Sequence, residues 1–228
     1  MEFGSVNTGI PYGWYTYFSQ PTLDKELWVA GIPFMSSLSY VFLTFAGLQM
    51  ARLATEPLGR GSHSRWDLRW KSQSTPLHFK TVILAGLLTM GLDFVIDPVA
   101  LPGGRWFLGQ IYQYNHPGIY FGVPVMNFAG WALTTWLIVG LFWGIDRFSM
   151  LARLGAWRDY PHEVLLCIGL FTGILAFNLA VTRVAVAISA IGEFAMGFFG
   201  CAWTLLMQLP AGLTFKRSQV RTFEQLKI

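Results

Sequence analysis

The chain has 228 residues, 54% of them hydrophobic and only 12% charged, against roughly a quarter charged in an ordinary soluble domain. With a mean hydropathy of +0.46 and apolar runs long enough to cross a bilayer core of about 30 Å, this composition predicts an all-α, polytopic membrane helix bundle. The runs are continuous rather than alternating, which excludes a β-barrel; the net charge of +4 matters mainly through its location.

Met1 to Glu26 is a polar and aromatic lead-in whose glycines and proline forbid a long helix and whose rings, Trp14 and Tyr17 among them, suit a membrane interface. The sequence MEFGSVNTGIPYG is neither basic nor apolar enough for a cleavable signal. Five spans are expected, at about 27–50, 81–97, 122–145, 163–181 and 186–211, in one integral-membrane domain covering 1–228. Between the first two lies a basic loop from Arg52 to Lys80. A central loop from Pro98 to Phe121 follows the second, and a mixed loop from Asp146 to His162 follows the third. Cys167 and Cys201 fall inside apolar runs and read as small buried hydrophobes.

Orientation follows from counting Lys and Arg. Six lie in the Arg52–Lys80 loop, three in the Asp146–His162 loop and four in the tail, while the lead-in, the central loop and a turn at Arg183 hold one each. Thirteen of the sixteen therefore fall on one side. The positive-inside rule puts the tail in the cytoplasm, with the lead-in and the central loop outside. An external N-terminus of this kind implies either that Met1 follows a lost or separate upstream helix, the favoured reading, or that the five helices insert post hoc as a hairpin set.

The polar groups between Asp93 and Trp131 each need a reason in so apolar a chain. Asp93 and Asp97 stand at i and i+4, on one face of the second span and about 6 Å apart along its axis. Counting from Lys80, they lie about 20 and 26 Å into the core. Ionised carboxylates are costly at that depth, so the pair is expected to hold at least one proton. A pair sharing a proton offers a general acid with a general base beside it. The structural alternative is that Asp97 meets interfacial water before Pro98 while Asp93 bonds a neighbouring helix. Asn127, one turn into the third span beside Trp131, is a buried amide for which these acids are the natural partners. In the central loop, Trp106, Tyr112, Tyr114, Asn115, His116 and Tyr120 are candidates to stabilise a developing cation or hold a water. Taken alone, Tyr112 and Tyr114 are expected in an aromatic belt at the outer interface. Glu193 is a third intramembrane acid, open to a structural or a functional reading. Asn178 is expected to bond between helices, and the Gly140/Gly144 and Gly169/Gly173 pairs to form close-packing faces.

The four histidines are scattered, which argues against a histidine-box di-iron enzyme and against haem held by paired helices. No phosphate-binding glycine loop, dinucleotide fingerprint or nucleophile elbow is found. Acid–base chemistry on an apolar substrate, with no cofactor and no metal, passes this sieve. No nucleic-acid partner is expected.

The same residues resemble the membrane-bound carotenoid biosynthesis family that includes bisanhydrobacterioruberin hydratase and the bacterial carotenoid 1',2'-hydratases. The matching pieces are Glu2 with the run from Thr8 to Tyr17, then Ala30 to Pro33, Leu92-Asp93 with Ile96-Asp97-Pro98, Trp106, and Gly118 to Pro124 through Asn127 to Trp131. They cover about the first 130 residues. The resemblance implies hydration of the terminal double bond of a linear ψ-end carotenoid to a tertiary alcohol, in a bacterial or archaeal cytoplasmic membrane. Asp93 is then the proton donor and Asp97 the base that positions water, the roles being exchangeable. Glu2 is a further candidate acid, Asn127 and Tyr120 hold the water or the acids, and Trp14, Tyr17, Trp106, Tyr112, Tyr120 and Trp131 contact the substrate. It also implies one or two helices ahead of the Glu2 position, hence a possible partner membrane subunit. Two other readings use the same residues. One is a non-enzymatic carotenoid-binding or accessory subunit of a larger membrane complex, for instance a photosynthetic one; the other is a small proton-coupled transporter.

Overall fold

The computed structural model describes residues 1–19, 26–61, 66–70, 78–101, 109–147 and 161–185. Among these, four helices are long and apolar enough to cross a membrane: α2 (Phe34–Thr55), α3 (Phe79–Ala100), α4 (Val125–Arg147) and α5 (Glu163–Ala185). A short α1 (Glu2–Thr8) precedes them. Six short strands pair as three antiparallel two-stranded ribbons. β1 (Tyr15–Tyr17) pairs with β6 (Tyr112–Tyr114), β2 (Trp28–Val29) with β3 (Ile32–Pro33), and β4 (Leu58–Arg60) with β5 (Leu68–Trp70).

The bundle is organised on α3, which packs against α2, α4 and α5. In a membrane the solvent on both faces of such a helix is apolar, so association rests on close packing and hydrogen bonds rather than on a hydrophobic stripe. The glycines supply the closeness. A Cβ added at Gly47 of α2 would overlap Thr89 Oγ1 and lie 3.0 Å from the Ala85 carbonyl of α3. One at Gly86 of α3 would overlap the Trp136 indole of α4, whose Nε1 donates to Ile83 O at 3.2 Å. Hydroxyl pairs add to this: Thr55 and Thr81 join α2 to α3 at 2.7 Å, and Thr44 and Thr135 join α2 to α4 at 3.4 Å. Among the described residues the Gly140/Gly144 and Gly169/Gly173 faces make no such approach, since a Cβ at any of the four meets no atom within 4 Å. Asn178 donates to Ile174 O in its own helix. Outward on α2, Leu38, Val41, Phe42 and Phe45 are exposed, the surface that lipid would cover.

The helix bounds differ from the sequence expectation at several ends. The first span starts at Phe34 rather than Leu27 because Ala30 (φ 52) and Gly31 (φ 75) turn the chain into the β2–β3 hairpin. Glu26 then accepts the free N–H of Met35 at 2.7 Å, closing the start of α2. The second span continues through Pro98 to Ala100. Proline has no N–H to give the carbonyl four residues back, and Tyr120 supplies the replacement, its hydroxyl donating to Phe94 O at 3.0 Å. The third span opens at Val125, after positive-φ turns at Phe121 and Gly122. Instead of turning at Arg183, α5 runs to Ala185. The expected fifth span at 186–211, with Glu193 and Cys201, and the tail lie outside the described residues.

At the end of the bundle away from α1, the β4–β5 ribbon ties α2 to α5. Arg52 bonds Glu56 at 2.9 Å and stacks 4.6 Å from the Trp70 ring, while the fully buried Asp67 accepts His162 N at 2.9 Å.

Candidate active site

Antiparallel packing of α3 and α4 sets the last turns of one beside the first turn of the other, and the polar residues there meet. The Asn127 side-chain Nδ2 donates to Asp93 Oδ2 at 2.6 Å and to Asp97 Oδ2 at 2.7 Å. Asn127 is 2% exposed, Asp93 1% and Asp97 8%. One amide nitrogen thus bridges two buried carboxyl groups. The expectation that α3's acids are the partners of Asn127 holds.

Asp97 receives two more donors, Tyr112 on Oδ1 at 2.9 Å and Tyr114 on Oδ2 at 2.8 Å. Asp93 receives a single donor, Asn127 on Oδ2, and pairs with the Asp97 carboxyl beside it, while its Oδ1 is buried without a hydrogen-bond partner. The two acids are therefore differently equipped. Three donors, two of them phenols, suit Asp97 to carry negative charge, and a lone amide donor suits Asp93 to hold the proton of the pair.

The phenols reach Asp97 from a device that the local pattern concealed. Tyr15-Thr16-Tyr17 and Tyr112-Gln113-Tyr114 form β1 and β6, with Tyr15 opposite Tyr114 and Tyr17 opposite Tyr112. Side chains alternate across a strand, so the four tyrosines share one face, and Thr16 and Gln113 point outward and are exposed. Ring centroids lie 5.8–5.9 Å apart for Tyr15 with Tyr114 and Tyr112, edge to face. Burial pushes the Tyr112 and Tyr114 phenols well above their ordinary value, and the charge of Asp97 adds to the effect. They stay O–H donors. Tyr112 and Tyr114 are thus ligands of the acid pair rather than members of an interfacial belt.

Glu2 is buried nearby at 5% exposure. Its Oε1 accepts from Tyr17 at 2.7 Å and Ser36 at 2.6 Å, and its Oε2 from Ser37 at 2.7 Å. The serines belong to the first turn of α2, whose positive end favours a carboxylate. Glu2 and Asp97 line one cavity of about 230 Å³, with Asn127 beside Asp97. Tyr12, Tyr40 and Trp131 stack along one wall, at 5.4 Å for Tyr12–Tyr40 and 4.4 Å for Tyr40–Trp131. The ribbon tyrosines form another. Asp93 is not among the lining residues.

Of the expected substrate contacts, Tyr17, Tyr112 and Trp131 line the cavity. Trp14 does not: it is exposed, and its indole N–H donates to Val6 O at 3.1 Å, a contact that fixes α1. Nor does Tyr120, whose hydroxyl is committed to Phe94 O and whose ring packs on Phe94 and Phe128. Trp106 lies outside the described residues. Tyr12, Tyr15, Tyr40, Ser36 and Ser37 gain site positions that the sequence reading did not assign. The twin Tyr-x-Tyr triplets were the available signal for four of the tyrosines.

A model of the family described as carotenoid biosynthesis protein matches residues 1–195. Over 163 residues the chain is 30% identical to the bisanhydrobacterioruberin hydratase of Haloarcula japonica. That match covers 71% of this chain and 45% of the relative, so the chain spans about half the length of the protein it matches. No solved structure matches it. The family match extends through the acids, their bridging amide and the tyrosine ribbon alike, and the chain belongs to the carotenoid biosynthesis protein family.

Proposed function

We propose that this protein hydrates the terminal carbon–carbon double bond of a linear ψ-end carotenoid, giving a tertiary alcohol by acid–base chemistry. The observation that carries the reading is the placement of Glu2 and Asp97, each held by three donors, on one cavity walled by tyrosine and tryptophan rings.

Asp97 is the acid that reaches the substrate, because Asp93 does not line the cavity. Asp93 is the positioning residue behind it, and the proton that the Asp93 and Asp97 carboxyls share directly is delivered through Asp97 to the penultimate carbon of the alkene. Addition there places the positive charge on the tertiary carbon, the more stable of the two cations. Ring faces of the cavity stabilise that charge as it forms. Water attacks the tertiary carbon and gives up a proton to a carboxylate, for which Glu2 is the candidate. The product is the substrate plus one water, and the pair of acids is restored by proton exchange. The tyrosine hydroxyls keep Asp97 in place and keep bulk water away from the cation.

The test is pigment analysis of membranes from a lycopene-producing host that expresses the chain. A product heavier by one water, lost in Asp97→Asn and in Asp93→Asn, is the expected result. Unchanged lycopene with verified expression would overturn autonomous hydration. Pigment co-purifying with the protein in that case would move a carotenoid-binding accessory role to first place.

A further inference from the structure

The cavity is small against the molecule it is proposed to act on. A dry protein cavity of about 150 Å³ accommodates benzene, six carbons, so 230 Å³ corresponds by proportion to about nine carbons. One isoprene unit has five carbons and two have ten. A linear carotenoid cannot enter whole, and only its last one or two units fit among the rings.

The cavity also reaches the surface. Met35, at the start of α2, lines it and is 60% exposed. Ile96 and Ala100 of α3 also line it and are half-buried. Phe34, Leu38 and Val41 continue an exposed apolar surface along α2 from that point. The polar lining is Glu2, Ser36 and Ser39, Asp97 with Asn127, and Glu26, whose carboxylate accepts the Met35 N–H at 2.7 Å.

We infer that the site reads an end group and not a chain: it takes the terminal dimethyl-substituted alkene of any acyclic isoprenoid, with the remainder leaving past Met35 into the lipid. This rests on the hydration reading and adds to it a substrate class, short acyclic isoprenoids as well as polyenes. The reaction balances in the same way for both, with a proton added to the penultimate carbon, a hydroxyl to the tertiary carbon, and one water consumed.

The test compares a fifteen-carbon acyclic isoprenoid alcohol with lycopene, each at equal mole fraction in zwitterionic lipid nanodiscs holding the full chain. The expected result is hydration of the short substrate with kcat/KM within tenfold of the polyene. Hydration of lycopene with the short substrate more than a hundredfold slower would overturn the inference and leave the hydratase reading standing. Hydration of neither overturns both. Met35→Trp is the second measurement: both substrates are longer than the cavity, so narrowing the opening raises KM at least tenfold for each. An unchanged KM for both would refute an exit past Met35.

Discussion

Tyr114 donates its hydroxyl to Asp97 at 2.8 Å while its backbone pairs with Tyr15, ninety-nine residues earlier in the chain. A single residue thus joins the lead-in to the acid on α3, and the lead-in brings Glu2 with it. The site is assembled from the first turn of the chain, the start of α2, the end of α3 and the start of α4.

Removing that hydroxyl should be felt in turnover before stability. In Tyr114→Phe, Asp97 keeps Tyr112 and Asn127 but loses one of three donors. A hydrogen bond to a charged group is worth about 1.5–3 kcal/mol, so the rate is expected to fall about tenfold to a hundredfold. Tyr112→Phe should behave alike, and the double variant should exceed either. Initial rates of product formation in nanodiscs check this. Wild-type rates in both single variants would remove the phenols from the reaction.

Pro98 and Tyr120 should be energetically coupled. The proline leaves Phe94 O without its intrahelical donor, and the Tyr120 hydroxyl takes that place. Tyr120→Phe is expected to cost about 1–3 kcal/mol of stability, as for other buried acceptors that lose a partner. In a Pro98→Ala background the helix supplies its own N–H, so the same substitution should cost much less. A thermal-unfolding double-mutant cycle reads the coupling. Additive effects would show that the Tyr120 hydroxyl is not the replacement donor.

These pairs show what was legible in the sequence. Hydropathy placed four helices within a few residues, because a membrane span must satisfy its backbone internally and announces itself by length alone. Asp93, Asp97 and Asn127 stood out because each is expensive where it lies. The ribbon did not stand out, since pairing Tyr17 with Tyr112 depends on a register between distant segments that no local periodicity carries. Tyr120 was read as a substrate contact because a backbone debt at Pro98 is invisible until the helix is known to run through it. Glycine spacing did not point to the helix–helix approaches either: among the described residues they fall at Gly47 and Gly86, outside the Gly140/Gly144 pattern.

That last contrast is testable. Gly47→Ala places a methyl against Thr89 and the Ala85 carbonyl, so α2 and α3 must move apart. Overpacking of this kind costs about 1–3 kcal/mol. Gly140→Ala adds a methyl that meets no described atom, and with helix propensity favouring alanine it should cost less than Gly47→Ala. Melting of the two variants by size-exclusion recovery after heating separates them. Equal losses would contradict the α2–α3 packing described here.

The tyrosine ribbon should also set an alkaline limit. Burial raises the phenols of Tyr12, Tyr15, Tyr17, Tyr112 and Tyr114 above their ordinary value, and pushes that of Tyr120 up to about 12. Groups whose folded pKa is raised hold their protons more tightly in the folded state. Their contribution is fully present below the unfolded value of about 10 and is lost as pH rises beyond it. Stability and turnover attributable to the ribbon should therefore be flat from neutral pH to about pH 10, then fall as phenolate forms. Phenolate absorbance should rise together with loss of the fold rather than before it. In Tyr112→Phe with Tyr114→Phe the alkaline fall should be shallower. Phenolate formation from these residues at about pH 10 with the fold intact would mean that the ribbon face is open to water.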